Sequence, residues 1–196
     1  MAAEALLLDL DGTVWDSQPW YATLVAAGDE GATQRALADL RGGLSAATLL
    51  KRSRITPARF RRLCNAAVKP GLYEEVHRTL EALRRLERPT GAVTNLPAWM
   101  AEPMLECLEL DGLLDTLVPW RPGGRAKPRP ESLLIACRDL GIEPTPRTWY
   151  VGDMTTDGRA ARAAGLSFAW VSYGYEPSAP PGCDAELERF EQILEL

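Results

Sequence analysis

Two kinds of hydrophobic pattern divide the chain. A run of leucines at residues 6–8 stops at Asp9, and a continuous apolar run predicts a strand buried on both faces, as in a parallel sheet. From residue 72 onward, short apolar runs alternate with segments of helical spacing. The predicted strands are 90–95, 115–120, 148–153 and 167–174, and the predicted helices are 73–86, 97–110, 130–141 and 155–165. This alternation predicts an α/β fold with a doubly wound parallel sheet.

Residues 17–70 show only the helical pattern. Helical spacing extends over 20–40 and 45–54, with a Gly-Gly break between them, and a third segment over 55–68 begins with Thr56 as a predicted N-cap and Pro57 at the first helical position. We predict an all-helical cap domain of about four short helices inserted after the first strand. The core domain would then comprise residues 1–16 and 71–196, ending in a short edge strand or helix and a final helix.

Composition narrows the class of protein. The 196 residues are 46% hydrophobic and 25% charged, which is ordinary for a globular protein and argues against disorder. No basic region precedes the first apolar run and no apolar segment approaches transmembrane length, so we expect a cytoplasmic protein with no membrane partner. The four cysteines lie far apart, without the spacing of a zinc or redox site, and the single histidine, His77, lies on a predicted helix. Histidine-based catalysis is therefore not expected.

Charge is unevenly distributed along the chain. The net charge is -5, yet residues 17–70 contain nine basic and three acidic residues, a net of +6, which leaves -11 for the rest. A basic segment beside an acidic body favours a small anionic substrate, although it is also compatible with a solvated helical face. Few aromatic residues interleave with these bases, so a nucleic-acid partner is not expected.

Two aspartates, Asp9 and Asp11, follow the first predicted strand. Side chains two residues apart in an extended chain point to the same side, so both carboxylates should lie at the carboxyl edge of the sheet. Two carboxylates in close contact require a shared proton or a hard cation such as Mg²⁺. Asp11 and Gly12 also form a common turn signal, so this stretch alone is compatible with a plain turn.

Further polar residues occur at the ends of later strands. Thr94 and Asn95 end one strand, Lys127 lies in the loop after the next, and Asp153 and Asp157 follow the third. An acidic cluster, a hydroxyl with backbone donors and a cation together meet the needs of phosphoryl transfer. Each also has a simpler explanation, since these residue types cap helices or occupy solvated loops.

The ordered motifs DLDGT (residues 9–13), TN (94–95), KP (127–128) and GDxxxD (152–157) resemble those of the haloacid dehalogenase superfamily, in particular its phosphoglycolate phosphatase-like branch. The resemblance extends over nearly the whole chain. It implies a Rossmannoid core with a helical cap at residues 17–70, and a hydrolase that removes phosphate from a small phosphomonoester with Mg²⁺ as cofactor.

The resemblance also implies a role for each acidic residue. Asp9 would be the nucleophile that forms an aspartyl-phosphate, and Asp11 the general acid and base. Mg²⁺ would be bound by carboxylate oxygens of Asp9 and Asp153 and by the backbone carbonyl of Asp11. Asp157 would act through a water molecule or by holding Lys127 in place.

The same resemblance implies a group of residues that bind the phosphate of the substrate. Two of them, Thr94 and Lys127, would also take part in catalysis. The set comprises Gly12, Thr13, Thr94, Asn95 and Lys127.

Within the predicted cap, Arg41, Gly43 and Lys51 flank the Gly-Gly break, where a loop facing the core is expected. We predict that these three residues contact the substrate.

Two positions differ from the family pattern: Met154 replaces a common serine, and Gly158 occupies a position that is usually apolar. Neither change removes a predicted ligand.

Alternative functions within and outside the superfamily differ in the residues that they require. A haloacid dehalogenase needs neither Asp11 nor a metal, so the presence of Asp11 and of the Asp153 and Asp157 pair argues against that activity. By the resemblance, a phosphonatase has a Schiff-base lysine in the cap and a small residue at the position of Asp11, so the aspartate found here disfavours it. A phosphomutase similar to β-phosphoglucomutase has every motif found here and stays an alternative. A non-catalytic phosphate-binding or interaction module should have lost catalytic residues, yet none is replaced. The substrate, pathway and oligomeric state do not follow from the sequence.

Overall fold

The computed structural model describes residues 3–66 and 69–196, and in these ranges the chain forms eight strands and eight α-helices. The strands are β1 (Ala5–Leu8), β2 (Trp15–Asp16), β3 (Gly71–Leu72), β4 (Thr90–Pro97), β5 (Thr116–Trp120), β6 (Thr148–Gly152), β7 (Ser167–Val171) and β8 (Ala185–Leu187). The helices are α1 (Gln18–Ala26), α2 (Glu30–Arg41), α3 (Ala46–Arg52), α4 (Pro57–Cys64), α5 (Val76–Arg85), α6 (Ala98–Cys107), α7 (Glu131–Asp139) and α8 (Thr155–Ala164). A 3₁₀ helix (Phe190–Glu195) follows β8.

Six strands form one parallel sheet in the order β5-β4-β1-β6-β7-β8. Strand β1 lies inside the sheet between β4 and β6, and all four of its side chains are fully buried. Leu6 and Leu8 pack into the apolar cluster on one face, whereas Leu7 packs into the cluster on the other. Burial on both faces explains the continuous apolar run, and the predicted α/β fold with a parallel sheet is confirmed.

Helices α1 to α4 lie between β2 and β3, which pair antiparallel with Trp15 opposite Leu72. Strands of two residues are too short to produce a detectable pattern, so the sequence did not predict this ribbon.

Thr56 caps α4 by accepting a hydrogen bond from the Arg59 amide at 3.3 Å, and Pro57 occupies the first turn, as predicted. Residues 67 and 68 of the predicted helix 55–68 lie outside the described residues.

The predicted helical stretch 20–40 divides into α1 and α2. Ala27 and Gly28, which separate them, have φ angles of 50° and 94°. The left-handed conformation at both positions ends α1, and Asp29 then caps α2 by accepting a hydrogen bond from the Ala32 amide at 2.7 Å.

The helices α1 to α4 share an apolar cluster with one face of the sheet. Aromatic side chains connect them to the core helix α6: the Phe60 ring lies 5.6 Å from that of Trp20 and 5.3 Å from that of Trp99, both edge-on. Edge-to-face pairs of this kind stabilise an interface beyond the area they bury. The division into a cap domain of residues 17–70 and a core domain stays a prediction.

Among the described residues, no helix combines the length and apolar character needed to cross a bilayer.

Candidate active site

A cavity of about 590 Å³ opens at the carboxyl ends of the central strands. It is lined by side chains from strand-end positions that the sequence singled out, namely Asp9, Asp11, Thr94, Asn95, Lys127 and Asp157. Asp153 is buried beside them with no exposed surface. The parallel sheet brings these residues together because its strands all end at the same edge.

The Lys127 side chain is buried, and its ammonium group forms two ion pairs and a hydrogen bond. Its Nζ is 2.8 Å from Asp9 Oδ1 and 2.7 Å from Asp157 Oδ1, and it donates a hydrogen bond of 2.7 Å to Tyr150 Oη. Burial alone would lower the pKa of Lys127, but the charges of Asp157 and Asp9 outweigh it and raise the pKa above its usual value. The lysine is therefore a permanent cation beside the Asp9 carboxylate.

The Lys127 loop is fixed by the side chain of Asn95. Asn95 Oδ1 accepts a hydrogen bond from the Lys127 amide at 2.9 Å, and its Nδ2 donates to the Lys127 carbonyl at 3.3 Å. These two bonds direct the side-chain amide of Asn95 toward the loop and use one of its two N–H donors, so the other can still donate to a ligand. Neither Thr94 nor Asn95 caps a helix: α6 begins after Pro97, and Thr94 Oγ1 accepts a hydrogen bond from the Leu96 amide at 3.1 Å.

Three carboxylates, from Asp9, Asp153 and Asp157, form an acidic cluster whose oxygens lie within 4.8 Å of one another. Asp153 Oδ2 accepts a hydrogen bond from the Tyr175 amide at 2.7 Å, but its buried Oδ1 has no hydrogen-bond partner in the described part of the chain. A buried carboxylate oxygen without a donor is costly unless a cation coordinates it. The cluster therefore fits a hard divalent cation such as Mg²⁺, which prefers oxygen ligands.

Asp157 is less available to a cation than Asp153. One of its oxygens faces Lys127, and the other accepts a hydrogen bond of 3.0 Å from the Met154 amide at the start of α8. This geometry favours the second of its two predicted roles, which is to hold Lys127 in place, and it also caps the helix.

The electrostatics of the cluster are unfavourable without a cation. Burial raises the pKa of Asp153 to about 8, with further contributions from the charges of Asp9 and Asp157. Burial and the charge of Asp157 also raise the pKa of Asp9 to about 7, against the opposing effect of Lys127. A single lysine does not offset this group of carboxylates, so a bound cation would stabilise their ionised forms.

Asp11 is held by two donors. Its Oδ1 accepts hydrogen bonds from Trp15 Nε1 at 2.6 Å and from Ser17 Oγ at 2.5 Å. Burial raises the pKa of Asp11 to about 6, while the hydrogen bonds from Ser17 and Trp15 act in the opposite direction. Asp11 can therefore exchange a proton near neutral pH, as a general acid and base must.

Gly12 and Thr13 occupy the turn beside this carboxylate. Gly12 has a φ of 85°, and a Cβ atom at this position would collide with the Asp153 carboxylate. Both the conformation and the close approach therefore require glycine. Thr13 is fully buried, and its Oγ1 has no hydrogen-bond partner among the described residues.

The residues predicted to bind substrate from the cap lie in three different places. Gly43 lines the active-site cavity, together with Ser45 and Thr48. Arg41 lines a neighbouring cavity of about 590 Å³, which also borders on Gly43. Lys51 is exposed on α3 and is not among the described residues that line either cavity. The structure therefore brings only one of the three to the catalytic groups.

Four residues that contact the predicted catalytic groups were not predicted from the sequence. Trp15 and Ser17 contact Asp11, Tyr150 contacts Lys127, and the Tyr175 backbone contacts Asp153. Trp15 and Tyr150 stand in short apolar stretches, where an aromatic residue is typical of a core. The proximity of Ser17 to Asp11 in the sequence was the one available signal, because a short turn can bring a hydroxyl back to a carboxylate.

The fold and the site together define a class of protein: a parallel α/β enzyme with an aspartate, a lysine and an acidic cluster at the carboxyl ends of its strands. The profile of the haloacid dehalogenase-like hydrolases matches residues 6–171, and the chain belongs to that family. It is therefore a hydrolase, and the resemblance noted in its motifs is confirmed.

Curated relatives agree with this assignment, and a solved structure shares the fold. The chain is 28% identical to N-acetylmuramic acid 6-phosphate phosphatase of Pseudomonas aeruginosa, over 100% of this chain and 95% of the relative. It is 33% identical to phosphoglycolate phosphatase of Pasteurella multocida, over 68% of this chain and 59% of that protein. The crystal structure of a haloacid dehalogenase-type phosphatase from Thermococcus onnurineus has the same fold, with a TM-score of 0.74 at 20% identity, over 98% of this chain and 96% of that one.

Proposed function

We propose that the protein is a Mg²⁺-dependent phosphatase that hydrolyses a small phosphomonoester through a phosphorylated Asp9. The observation that carries this proposal is the position of Lys127 Nζ, 2.8 Å from Asp9 Oδ1 in the active-site cavity. A fixed cation beside a carboxylate reduces the repulsion that a phosphate dianion meets as it approaches. The names of two relatives, both phosphatases of phosphomonoesters, support the same reaction class.

In the first step, an Asp9 carboxylate oxygen attacks phosphorus and the bond to the leaving oxygen breaks. Lys127 compensates the charge on the phosphoryl oxygens, and the Thr94 hydroxyl and Asn95 backbone amide donate hydrogen bonds to them. Neutral Asp11 gives its proton to the leaving oxygen. In the second step, Asp11 takes a proton from the attacking water and Asp9 is released as a carboxylate.

The chain supplies a set of oxygen ligands for the metal. Carboxylate oxygens of Asp9 and Asp153 and the backbone carbonyl of Asp11 would hold Mg²⁺. The unpartnered Oδ1 of Asp153 supports this arrangement. Bound Mg²⁺ supplies charge neutralisation between the acidic cluster and the substrate phosphate.

The test is hydrolysis of p-nitrophenyl phosphate with Mg²⁺ or with EDTA, by the wild-type protein and by Asp9→Asn. Asparagine keeps the shape of the side chain but removes the nucleophilic charge, so turnover should require Mg²⁺ and be lost in the variant. Asp111→Asn, a change at an exposed acidic residue, is the matched control and should retain activity. Undiminished turnover in Asp9→Asn or in EDTA would contradict the proposal.

Substrates of the named relatives form the next comparison. N-acetylmuramic acid 6-phosphate and phosphoglycolate should be tested for release of inorganic phosphate. A product in which the phosphoryl group has moved to another hydroxyl of a sugar phosphate would indicate the phosphomutase alternative.

A further inference from the structure

The Asp11 carboxylate is bound asymmetrically. Both hydrogen bonds, from the Trp15 indole and the Ser17 hydroxyl, are accepted by Oδ1. Two accepted hydrogen bonds use both lone pairs of Oδ1, so this oxygen has no lone pair left to bind a proton. The proton of neutral Asp11 therefore belongs on Oδ2.

We propose that Trp15 is a positioning residue that, together with Ser17, orients Asp11 so that Oδ2 delivers the proton to the leaving oxygen. This inference rests on the proposed function, in which Asp11 is the general acid. When the phosphorus–oxygen bond breaks, its electron pair stays on the leaving oxygen, the Oδ2–H bond of Asp11 breaks, and the proton passes to that oxygen. At the same time a bond forms between Asp9 and phosphorus.

The backbone fixes the indole relative to Asp11. Trp15 is fully buried, and its carbonyl accepts a hydrogen bond of 2.9 Å from the Gly12 amide, while its own amide donates to the Leu10 carbonyl at 3.2 Å. These bonds close the turn that contains Asp11, and pairing with Leu72 holds the other side of Trp15. The donor and the acceptor thus belong to one rigid turn, which is what a precise orientation requires.

Ser17 supplies the second hydrogen bond from a different element. It is the residue before α1, and its backbone amide donates to Tyr175 Oη at 3.1 Å. The Tyr175 backbone amide in turn donates to Asp153. The orientation of Asp11 is therefore fixed from the turn by Trp15 and from the start of the helical block by Ser17.

A merely structural role for Trp15 would give a different kinetic result. Alkyl phosphates have poor leaving groups and depend on proton donation, whereas p-nitrophenolate leaves without it. Loss of the orientation should therefore lower kcat/KM for an alkyl phosphate far more than for the aryl phosphate. A loss of folding or of substrate binding would lower both values to a similar extent.

The experiment measures kcat/KM of Trp15→Phe for p-nitrophenyl phosphate and for the best alkyl phosphate of the wild-type protein. Phenylalanine keeps an aromatic ring but lacks the N–H donor. Since a general acid contributes about 10²–10⁴-fold and one of two orienting bonds is lost, we expect a fall of about tenfold or more for the alkyl phosphate and less than about threefold for the aryl phosphate. Trp99→Phe, which changes an indole in the aromatic cluster, is the control and should show no such difference between substrates.

Ser17→Ala removes the other donor with little change in packing and should show the same difference between substrates if Trp15→Phe folds poorly. Equal losses for both substrates in both variants would overturn the inference while leaving the phosphatase intact. If the wild-type protein hydrolyses neither substrate with Mg²⁺ present, the proposed function itself fails.

Discussion

Replacing Asp153 by asparagine should stabilise the metal-free protein at pH 8 and remove most of its stabilisation by Mg²⁺. Asp153 has no exposed surface, one of its oxygens has no hydrogen-bond partner among the described residues, and it faces the carboxylates of Asp9 and Asp157. Asparagine has nearly the same shape and keeps an oxygen that can accept the hydrogen bond from the Tyr175 amide. The substitution therefore removes a buried negative charge without creating a cavity.

The magnitude follows from the pKa of Asp153, which rises from 3.8 to about 8 on burial beside the other two carboxylates. Each pH unit between these values is worth about 1.4 kcal/mol, so the ionised group costs the folded state at most about 5 kcal/mol at pH 8. Relaxation and water entry reduce such penalties, and we expect a net gain of about 2–3 kcal/mol in the free energy of unfolding.

The same pKa values set the sign of the pH dependence of stability. The folded-state pKa lies above the unfolded one, so the folded protein binds the proton more tightly. The stability that this proton gives is fully present below about pH 4 and is lost as the pH rises through about 8. Wild type and Asp153→Asn should therefore differ less at pH 5 than at pH 8.

The assay is urea unfolding in EDTA at pH 5 and pH 8, repeated with Mg²⁺ in place of EDTA. Asp111→Asn, a change at an exposed acid, controls for the loss of a negative charge in general. The electrostatic role assigned to Asp153 is refuted if Asp153→Asn is less stable than wild type at pH 8 in EDTA, or if Mg²⁺ stabilises the variant as much as the wild type.

Three other perturbations test the same arrangement. In EDTA, the free energy of unfolding of the wild-type protein should fall from pH 5 to pH 8, because the folded-state pKa values of Asp9 and Asp153 are raised to about 7 and about 8, and Mg²⁺ should stabilise it more at pH 8; an opposite slope in urea titrations would contradict this. Lys127→Met should abolish turnover and lower stability by about 3–5 kcal/mol, because it leaves Asp9 and Asp157 unpaired in the interior; a stable, active variant would exclude this role. Asn95→Ala should cost about 1–2 kcal/mol in urea unfolding and raise KM, because it releases the Lys127 loop; an unchanged KM would argue against it.

Much of the core could be predicted because its signals are local. The leucines of β1 form a continuous apolar run since both faces of the strand are covered, and the later strands alternate with helices of clear amphipathic spacing. Once the sheet was predicted to be parallel, the carboxyl ends of its strands had to share one edge. That topological rule, rather than any single motif, brought Asp9, Lys127 and Asp153 into one expected site.

The supporting contacts could not be predicted, because they join residues that are distant in the sequence or lack a polar signal. Tyr150 stands among apolar residues of β6, yet its hydroxyl contacts Lys127. Tyr175 reaches Ser17 across 158 positions of the chain. The cap residues were inferred from loop position and from the family resemblance. Only Gly43 of the three lines the catalytic cavity, because the orientation of a helix face depends on packing that a loop position does not encode.

Phosphorylation of Asp9 during turnover is the most direct test of the proposed mechanism. The protein would be mixed with p-nitrophenyl phosphate and Mg²⁺, quenched in acid within one turnover, and mapped by peptide mass spectrometry. We predict a phosphorylated peptide that contains Asp9, dependent on Mg²⁺ and absent from Asp9→Asn. Phosphate on a different residue, or turnover by Asp9→Asn at the wild-type rate, would contradict the central claim.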